Sequence, residues 1–150
     1  MTRYLALALA LALPTAPLLA QQGRPGAHFV ENWDLDGDGK VTAKEAAERR
    51  ANVFAAFDAN EDGFLDAEEY VLFDEAREAD MAAQGNHGRG AMKRAADGML
   101  LERNDVDGDG KVSLEEFTGT AADWIAWLDG DKDGVVTTAD FGRGMGAGKN

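Results

Sequence analysis

The sequence predicts an all-α protein in which a two-loop unit occurs twice, and three observations lead to this fold class. An acidic, glycine-containing segment of twelve residues occurs four times within the 150 residues of the chain. Each segment ends with a polar residue three places before an acid, which is the spacing of a helix-starting capping box. Apolar residues at helical spacing precede the segments. The acidic segments are therefore expected to be loops between helices.

The four segments form two pairs that share one offset. The pattern of loop 1, residues 34–45, recurs 71 residues later in loop 3, residues 105–116. Loop 2, residues 58–69, returns as loop 4, residues 129–140, after the same shift. An internal repeat of this kind indicates a duplicated structural unit.

Each loop carries oxygen-bearing side chains at its first, third and fifth positions and an acid at its twelfth. Hard oxygen ligands without thiolate or imidazole favour calcium over zinc or copper. A glycine at position 6, such as Gly39, permits the sharp turn that brings the loop ends together. The pattern therefore indicates four sites for a divalent cation.

The four loops resemble the calcium loop of the EF-hand family, and the resemblance covers most of the chain beyond residue 20. It implies four helix–loop–helix calcium sites, with short β pairing between loops through the residue at position 8. Up to four Ca²⁺ ions would be bound by side chains at positions 1, 3, 5, 9 and 12 and by the backbone carbonyl at position 7. The implied metal ligands are Asp34, Asp36, Asp38, Lys40, Thr42 and Glu45 in loop 1; Asp58, Asn60, Asp62, Phe64, Asp66 and Glu69 in loop 2; Asp105, Asp107, Asp109, Lys111, Ser113 and Glu116 in loop 3; and Asp129, Asp131, Asp133, Val135, Thr137 and Asp140 in loop 4.

Loop 4 departs from the other three at its last ligand. Asp140 stands where the other loops have glutamate, and its side chain is one methylene shorter. One oxygen then reaches an ion more naturally than two, which suits the smaller octahedral Mg²⁺ or weakens calcium binding. We expect loop 4 to be the least selective for calcium.

The spacing between loops predicts which of them pair. Twelve residues separate loop 1 from loop 2, and twelve separate loop 3 from loop 4, so a continuous helix would hold each couple about 18 Å apart. Between Glu69 and Asp105, an exiting helix to about Met81 and an entering helix from Ala91 would form a hairpin. Loop 2 is therefore predicted to pair with loop 3, and loop 1 with loop 4 by pseudo-symmetry.

The entering helix of loop 3 has an unusual last residue. Asn104 lies directly before the first ligand, where loops 2 and 4 have Phe57 and Leu128. A polar residue at this otherwise apolar position predicts a helix that is less firmly anchored.

The N-terminal segment has the pattern of a secretory signal peptide. One basic residue, a short run of Leu and Ala, and a small residue at Ala20 precede a polar stretch. We expect cleavage after Ala20, and cleavage after Ala16 is an open alternative. A membrane anchor is the rival interpretation, but prolines interrupt a segment that is shorter than the roughly 20 residues of a spanning helix. We expect a secreted or periplasmic protein without stable membrane insertion after cleavage.

These features predict the organisation of the whole chain. It comprises a signal peptide (1–20), a first unit (21–83), a flexible linker (84–90), a second unit (91–141) and a flexible tail (142–150).

The composition excludes several classes of function. A net charge of -13 opposes nucleic acid binding, and the absence of cysteine excludes disulfides and thiolate metal sites. The sequence shows no nucleophile with a paired base, and His28 and His87 lie far apart, so a non-enzymatic role is predicted. The expected function is calcium buffering or storage, or that of a calcium-stabilised binding module. The alternatives are a sensor that exposes a hydrophobic groove to a protein partner, and a metal-dependent hydrolase or adhesion accessory that uses the loops as scaffolding.

Overall fold

The computed structural model describes residues 24–83 and 90–142. They are mostly helical, with one small two-stranded sheet, which confirms the predicted helical class. The elements are α1 (Ala27–Trp33), α2 (Ala43–Phe57), β1 (Phe64–Leu65), α3 (Ala67–Ala83), α4 (Ala91–Asp97), α5 (Leu101–Asn104), β2 (Val112–Ser113), α6 (Leu114–Gly119), α7 (Ala121–Leu128) and α8 (Thr138–Gly142).

Several predicted segments fall outside the described ranges. These are the signal peptide 1–20, the linker 84–90 except for Gly90, and the tail 142–150 except for Gly142. Within residues 24–83 and 90–142, none of the helices combines the length and apolar character that crossing a membrane requires.

The loops pair as their spacing predicts. Strands β1 and β2 are antiparallel, with Leu65 of loop 2 opposite Val112 of loop 3. Val41 of loop 1 and Val136 of loop 4 form an isolated bridge, in which each amide donates to the other's carbonyl at 2.8 and 2.9 Å. All four are position-8 residues and are fully buried, so apolar burial accompanies each pairing. The pairing of loop 2 with 3, and of loop 1 with 4, is confirmed.

Helix α2 alone separates loop 1 from loop 2. It begins after Thr42 and continues without interruption to Phe57, a length of about 22 Å at ~1.5 Å per residue. Loops 1 and 2 therefore lie at opposite ends of one rod, as the spacing predicts.

The equivalent helix of the second unit is interrupted, and here the prediction of a continuous helix is wrong. Helices α6 and α7 meet at Thr120, where the Thr120 amide still donates to the Glu116 carbonyl and the Trp124 amide to the Thr120 carbonyl, both at 3.1 Å. Gly119 is a poor helix former, and the Thr120 hydroxyl bonds back to the Glu116 carbonyl, which bends helices. The interruption is one residue wide.

The helix that enters loop 3 is also divided, contrary to the single helix predicted from Ala91. Helices α4 and α5 are separated by residues 98–100. The backbone of Gly98 lies so close to the Trp124 ring that a Cβ would overlap it, and Leu100 is extended at φ -66° and ψ 148°. Close packing against Trp124 therefore takes precedence over helix continuity.

The prediction that Asn104 weakens the anchoring of loop 3 is wrong as well. The side chain is fully buried, accepts a hydrogen bond from Arg50 at 2.7 Å and donates to the Leu100 carbonyl at 2.8 Å. The buried amide is hydrogen-bonded at both its oxygen and its nitrogen, so it holds the end of α5 to α2.

The hydrophobic core draws on both halves of the chain. The ring of Phe29 lies 5.5 Å from that of Trp124 and 5.1 Å from that of Phe141, and Phe73 lies 5.9 Å from Phe117. One buried cluster contains all of these except the half-buried Phe141, which packs against it. The four loops are thus attached to one common core.

Candidate metal centres

The position-12 carboxylate ties each loop together, and Glu45 of loop 1 shows how. Its Oε1 accepts the amides of Leu35 and Asp36 at 2.9 and 3.3 Å, near the start of the loop. Its Oε2 accepts the amide and the hydroxyl of Thr42 at 2.9 and 2.8 Å, while the Glu45 amide donates back to that hydroxyl. This reciprocal pattern is a capping box, so one carboxylate joins the loop start to the first turn of α2.

Loops 2 and 3 repeat this arrangement. Glu69 accepts the amides of Ala59 and Asp66 at 2.8 and 3.2 Å. Glu116 accepts the amide of Val106 at 3.0 Å and that of Ser113 at 2.8 Å, and a capping box with Ser113 starts α6. The position-12 acid therefore both closes the loop and begins the helix that follows it.

The position-1 aspartate organises the turn of each loop. In loop 1, Asp34 accepts the amide of Gly37 at 2.7 Å through Oδ1 and that of Gly39 at 2.8 Å through Oδ2. Gly39 has φ +83°, a left-handed conformation that strains any residue with a Cβ. The position-6 glycines of the other loops are alike, with φ of +83°, +86° and +94° at Gly63, Gly110 and Gly134.

Hydrogen bonds from backbone amides lower the carboxyl pKa values of three predicted ligands. Partial burial raises the pKa of Asp34 and Glu45, but amide donors, from Gly39 to Asp34 and from Thr42 to Glu45, outweigh it. For Glu116 the amide of Ser113 is the largest influence, and the pKa again lies below its ordinary value. Donors that stabilise the charged form keep these groups ionised and able to bind a cation.

Carboxylates converge in three of the four loops. One oxygen from each of positions 1, 3 and 12 lies within 4.8 Å of the others. The groups are Asp34, Asp36 and Glu45; Asp105, Asp107 and Glu116; and Asp129, Asp131 and Asp140.

Loop 2 has an amide where the other loops have their second aspartate. Asn60 Oδ1 accepts the Asp62 amide at 2.8 Å, as Asp36 Oδ1 accepts the Asp38 amide at 3.1 Å in loop 1. The side-chain oxygen of Asn60 thus holds the same place as a carboxylate oxygen but carries less negative charge.

The remaining predicted ligands lie in the same turns. In each loop the position-5 carboxylate accepts the amide of position 7 at 2.8–3.1 Å, which places the position-7 residue at the end of the turn. These pairs are Asp38 with Lys40, Asp62 with Phe64, Asp109 with Lys111, and Asp133 with Val135. At position 9, Asp66 Oδ1 accepts the amides of Glu68 and Glu69, so it caps α3.

Loop 4 differs from the others in its geometry as well as its sequence. Asp140 Oδ1 accepts the amide of Gly130 at 2.9 Å, and its Oδ2 accepts the amide of Thr137 at 2.8 Å. The Asp140 amide bonds to the Thr137 carbonyl at 3.2 Å and not to its hydroxyl, so the full capping box of loops 1 and 3 is not formed. Reaching both ends of the loop with a shorter side chain buries Asp140 to 4% exposure.

A buried polar network behind the loops was not predicted from the sequence. It contains Arg50, Tyr70, Asn104 and Thr120, which are linked by side-chain hydrogen bonds. Asn104 stood out as a polar residue at an apolar position, but nothing near Arg50 in the sequence identifies its partners, which are 48 to 70 residues away.

His28 lies away from the loops. Its Nε2 contacts Asp80 at 2.9 Å, and Asn32 donates to the His28 carbonyl at 2.8 Å. The contact with Asp80 joins α1 to α3 and gives His28 a place in packing, while His87 lies outside the described residues.

The donor set fits a calcium ion. Each loop offers carboxylate or amide oxygens on a turn that backbone amide hydrogen bonds hold in shape. Hard oxygen ligands of this kind suit calcium. The clustered carboxylates at positions 1 and 3 are exposed or half-buried, so an ion can enter from solvent. The fold and its loops define a helix–loop–helix protein that binds divalent cations.

Comparison with known proteins agrees with this class. The family model described as EF hand matches residues 50–73 and 101–118, which include loops 2 and 3. The calcium-binding protein LPS1-alpha of Lytechinus pictus is 29% identical over an alignment that covers 61% of this chain and 39% of that relative. The chain therefore spans about two fifths of the length of this relative. Both similarities support the EF-hand calcium-binding family and calcium binding by this chain.

Proposed function

We propose that this chain binds calcium at four loops and acts outside the cytoplasm as a calcium buffer or store, or as a binding module that calcium stabilises. The main observation in support is the position-12 carboxylate. In every loop it accepts hydrogen bonds from amides at both loop ends and so brings the candidate ligands together. The role is binding and not catalysis. Ligands at positions 7 and 9 complete each shell beside the acids.

Charge explains why the ion stabilises the fold. Three carboxylates within 4.8 Å repel one another, and the whole chain has a net charge of -13. A ligand that binds the folded state alone stabilises it by about 2.7 kcal/mol when its concentration is 100 times its dissociation constant. With several loops filled, the calcium-bound fold is held far more firmly than the calcium-free one.

The location forms part of the proposal. The pattern of residues 1–20 supports export, with the working protein beginning near residue 21. Extracellular calcium modules bind with dissociation constants of about 10⁻⁴–10⁻³ M, which suits a compartment where calcium stays high. Under those conditions the loops remain filled and serve storage or stability.

Calcium titration of the chain from residue 21 onward, in a magnesium background, tests the proposal. Trp33 precedes the first ligand of loop 1, and its ring lies 4.6 Å from that of Trp124, so tryptophan emission reports on this region. We expect emission and helicity to change as calcium is added, and calorimetry to count up to four ions. Glu45→Gln, which keeps the side-chain shape but removes its charge, should remove one ion. A chain that neither changes its emission nor takes up heat at millimolar calcium does not have this function.

A calcium sensor is the second candidate, and one observation favours it. An apolar pocket of about 280 Å³ lies between α1, α2, α3, α4 and α7, and methionines line part of it. Met81, Met92 and Met99 supply adaptable apolar surface of the kind that sensors use to hold a partner. Binding of a hydrophobic dye during the same titration separates the two roles. More dye bound at saturating calcium favours the sensor, and dye release with rising helicity favours storage.

A further inference from the structure

Arg50 is a charged side chain at the centre of the fold. It lies on α2, between Glu45 at the end of loop 1 and Asp58 at the start of loop 2, and is fully buried. Within the described residues no carboxylate forms an ion pair with it. An uncompensated buried cation is costly, so its partners must repay its desolvation.

Carbonyls, hydroxyls and aromatic rings surround the guanidinium. The two hydrogens of Nη1 are shared among Asn104 Oδ1 at 2.7 Å, the Phe117 carbonyl at 2.9 Å and Thr120 Oγ1 at 2.7 Å. Its Cζ lies 4.6 Å from the Trp124 ring and 5.1 Å from the Phe117 ring. Burial lowers the pKa of Arg50 to about 10, so it remains charged at neutral pH.

These partners adjoin the predicted ligands of loops 2 and 3. Asn104 is directly followed by Asp105, the first ligand of loop 3, and Phe117 directly follows Glu116, its last. The Asn104 amide donates to the Tyr70 hydroxyl at 3.3 Å, and Tyr70 directly follows the last ligand of loop 2. A displacement of the residues beside loop 3, or of Tyr70 beside loop 2, is therefore passed to the same guanidinium.

The duplicated unit provides an internal comparison. A shift of 71 residues places Asn104 on Trp33, Tyr70 on Phe141 and Arg50 on Ala121. Around loops 1 and 4 these positions are apolar, and the rings of Trp33 and Phe141 lie 5.9 and 5.1 Å from that of Phe29. Apolar packing can thus fill this place in the fold, so the polar network is not required for folding in general.

We propose that Arg50, Asn104 and Tyr70 couple loop 2 to loop 3, so that calcium in one of these loops strengthens binding in the other. The inference rests on the proposed calcium binding, and it makes Arg50 a positioning residue that touches no ion. Loops 1 and 4 lack the hydrogen-bond network and are joined by a single bridge, and Arg50 touches them through the Trp124 ring, so their coupling should depend on Arg50 less. The two loop pairs therefore respond to calcium through different contacts.

The mechanism requires only contacts that the fold contains. Asp105 and Glu116 directly adjoin Asn104 and Phe117, which share the Arg50 guanidinium, so a shift of either ligand is passed to Arg50. Because Arg50 belongs to α2 and Tyr70 to α3, this movement biases the position of both helices that flank loop 2. Two sites that bias one shared arrangement are coupled reciprocally.

A double-mutant cycle followed by NMR tests the coupling, with calcium alone as the ligand. The amides of Gly63 and Gly110 donate to the position-1 aspartates of loops 2 and 3, so their resonances report each loop separately. Glu69→Gln disables loop 2 and should weaken calcium binding by loop 3 by about 5- to 150-fold, a typical coupling. In an Arg50→Met background that effect should fall at least about fivefold. Tyr70→Phe, which copies Phe141 and is a milder change, should reduce it in the same direction.

Loops 1 and 4 are the matched control. Glu45→Gln disables loop 1, and its effect on loop 4, read at the Gly134 amide, should change less on Arg50→Met than the effect of Glu69→Gln on loop 3 does. Equal loss of coupling in both pairs would show a general structural role and would overturn the inference, as would unchanged coupling between loops 2 and 3. If none of the glycine amides responds to calcium in the parent chain, the proposed function itself fails.

The calcium-free protein gives an independent readout. The Arg50 Nη1 protons should exchange slowly with solvent, because their acceptors are buried. Exchange as fast as that of an exposed arginine would show that the network is not formed and would also overturn the inference.

Discussion

Two loops of this protein hold a residue with a side chain in a left-handed conformation at position 4. Glu61 in loop 2 has φ +57° and Lys132 in loop 4 has φ +63°. At the same position loops 1 and 3 have Gly37 and Gly108, with φ of +78° and +75°. The protein thus contains both solutions to one backbone requirement, and exchanging them should change its stability in opposite directions.

The expected difference in unfolding free energy between glycine and alanine at position 4 follows from the backbone conformation alone. A left-handed residue with a Cβ costs roughly 1–2 kcal/mol, and glycine loses roughly 0.5–1 kcal/mol more in conformational entropy on folding than alanine does. The difference favours glycine by about 0.5–1 kcal/mol. A Cβ built on Gly37 or Gly108 meets no atom within 4 Å, so no clash adds to the value.

The measurement compares Lys132→Gly with Lys132→Ala by urea unfolding in a calcium chelator. Both changes remove the same charge, so the difference between them isolates the backbone. We expect the glycine variant to be more stable by about 0.5–1 kcal/mol, which corresponds to about 1–4 °C in melting temperature for a chain of this size. Gly108→Ala is the reverse experiment and should destabilise by a similar amount.

A stabilising Gly108→Ala, or a Lys132→Ala variant as stable as Lys132→Gly, would contradict the expected cost of a Cβ at position 4. Either result would mean that the turn relaxes away from positive φ at little cost. The strain assigned to position 4 would then be absent.

Three further expectations follow from the described contacts. Ser113→Ala removes the side-chain half of a capping box and should destabilise the protein by about 1 kcal/mol in urea unfolding, with the exposed Leu114→Ala nearby as a smaller reference change. Arg50→Ala leaves a cavity and deprives buried acceptors of their donor, and should cost about 2–4 kcal/mol in the same assay, whereas no loss would contradict the network. The pKa values of Glu45 and Glu116 are lowered in the fold, so their stabilisation of the calcium-free protein is complete above roughly pH 4.3, the pKa of an unfolded glutamate, and is lost as the pH falls through the folded values. Unfolding midpoints between pH 3 and 6 should therefore decline on acidification, and less steeply in Glu116→Gln.

Local signals explain why so much of the loop architecture is visible in the sequence. The position-6 glycines, the capping residues and the convergent acids lie within twelve residues of one another, so each loop is specified by its own segment. The pairing of loops followed from helix length, since α2 is too rigid and too long to let loops 1 and 2 meet. The predicted ligand set is tested by the titrations described above. The boundaries of the two units remain predictions.

Long-range contacts explain what the sequence did not reveal. The break before Leu100 depends on the ring of Trp124, which lies more than twenty residues away along the chain and packs on the backbone of Gly98. The burial of Asn104 depends on Arg50, 54 residues earlier. Periodicity reports which residues are apolar, but it cannot show that a distant charge will satisfy a polar one.

The crossed loop pairing has a consequence for the symmetry of the molecule. The 71-residue shift exchanges loop 1 with 3 and loop 2 with 4, so it converts the pair 2–3 into the pair 4–1. The two pairs are therefore related by a pseudo-two-fold axis, as the halves of a homodimer would be. A polypeptide with only one of the units would leave both of its loop strands without partners, and two copies would satisfy all of them by mutual exchange. The single chain is in this sense a covalently linked dimer of its own repeat.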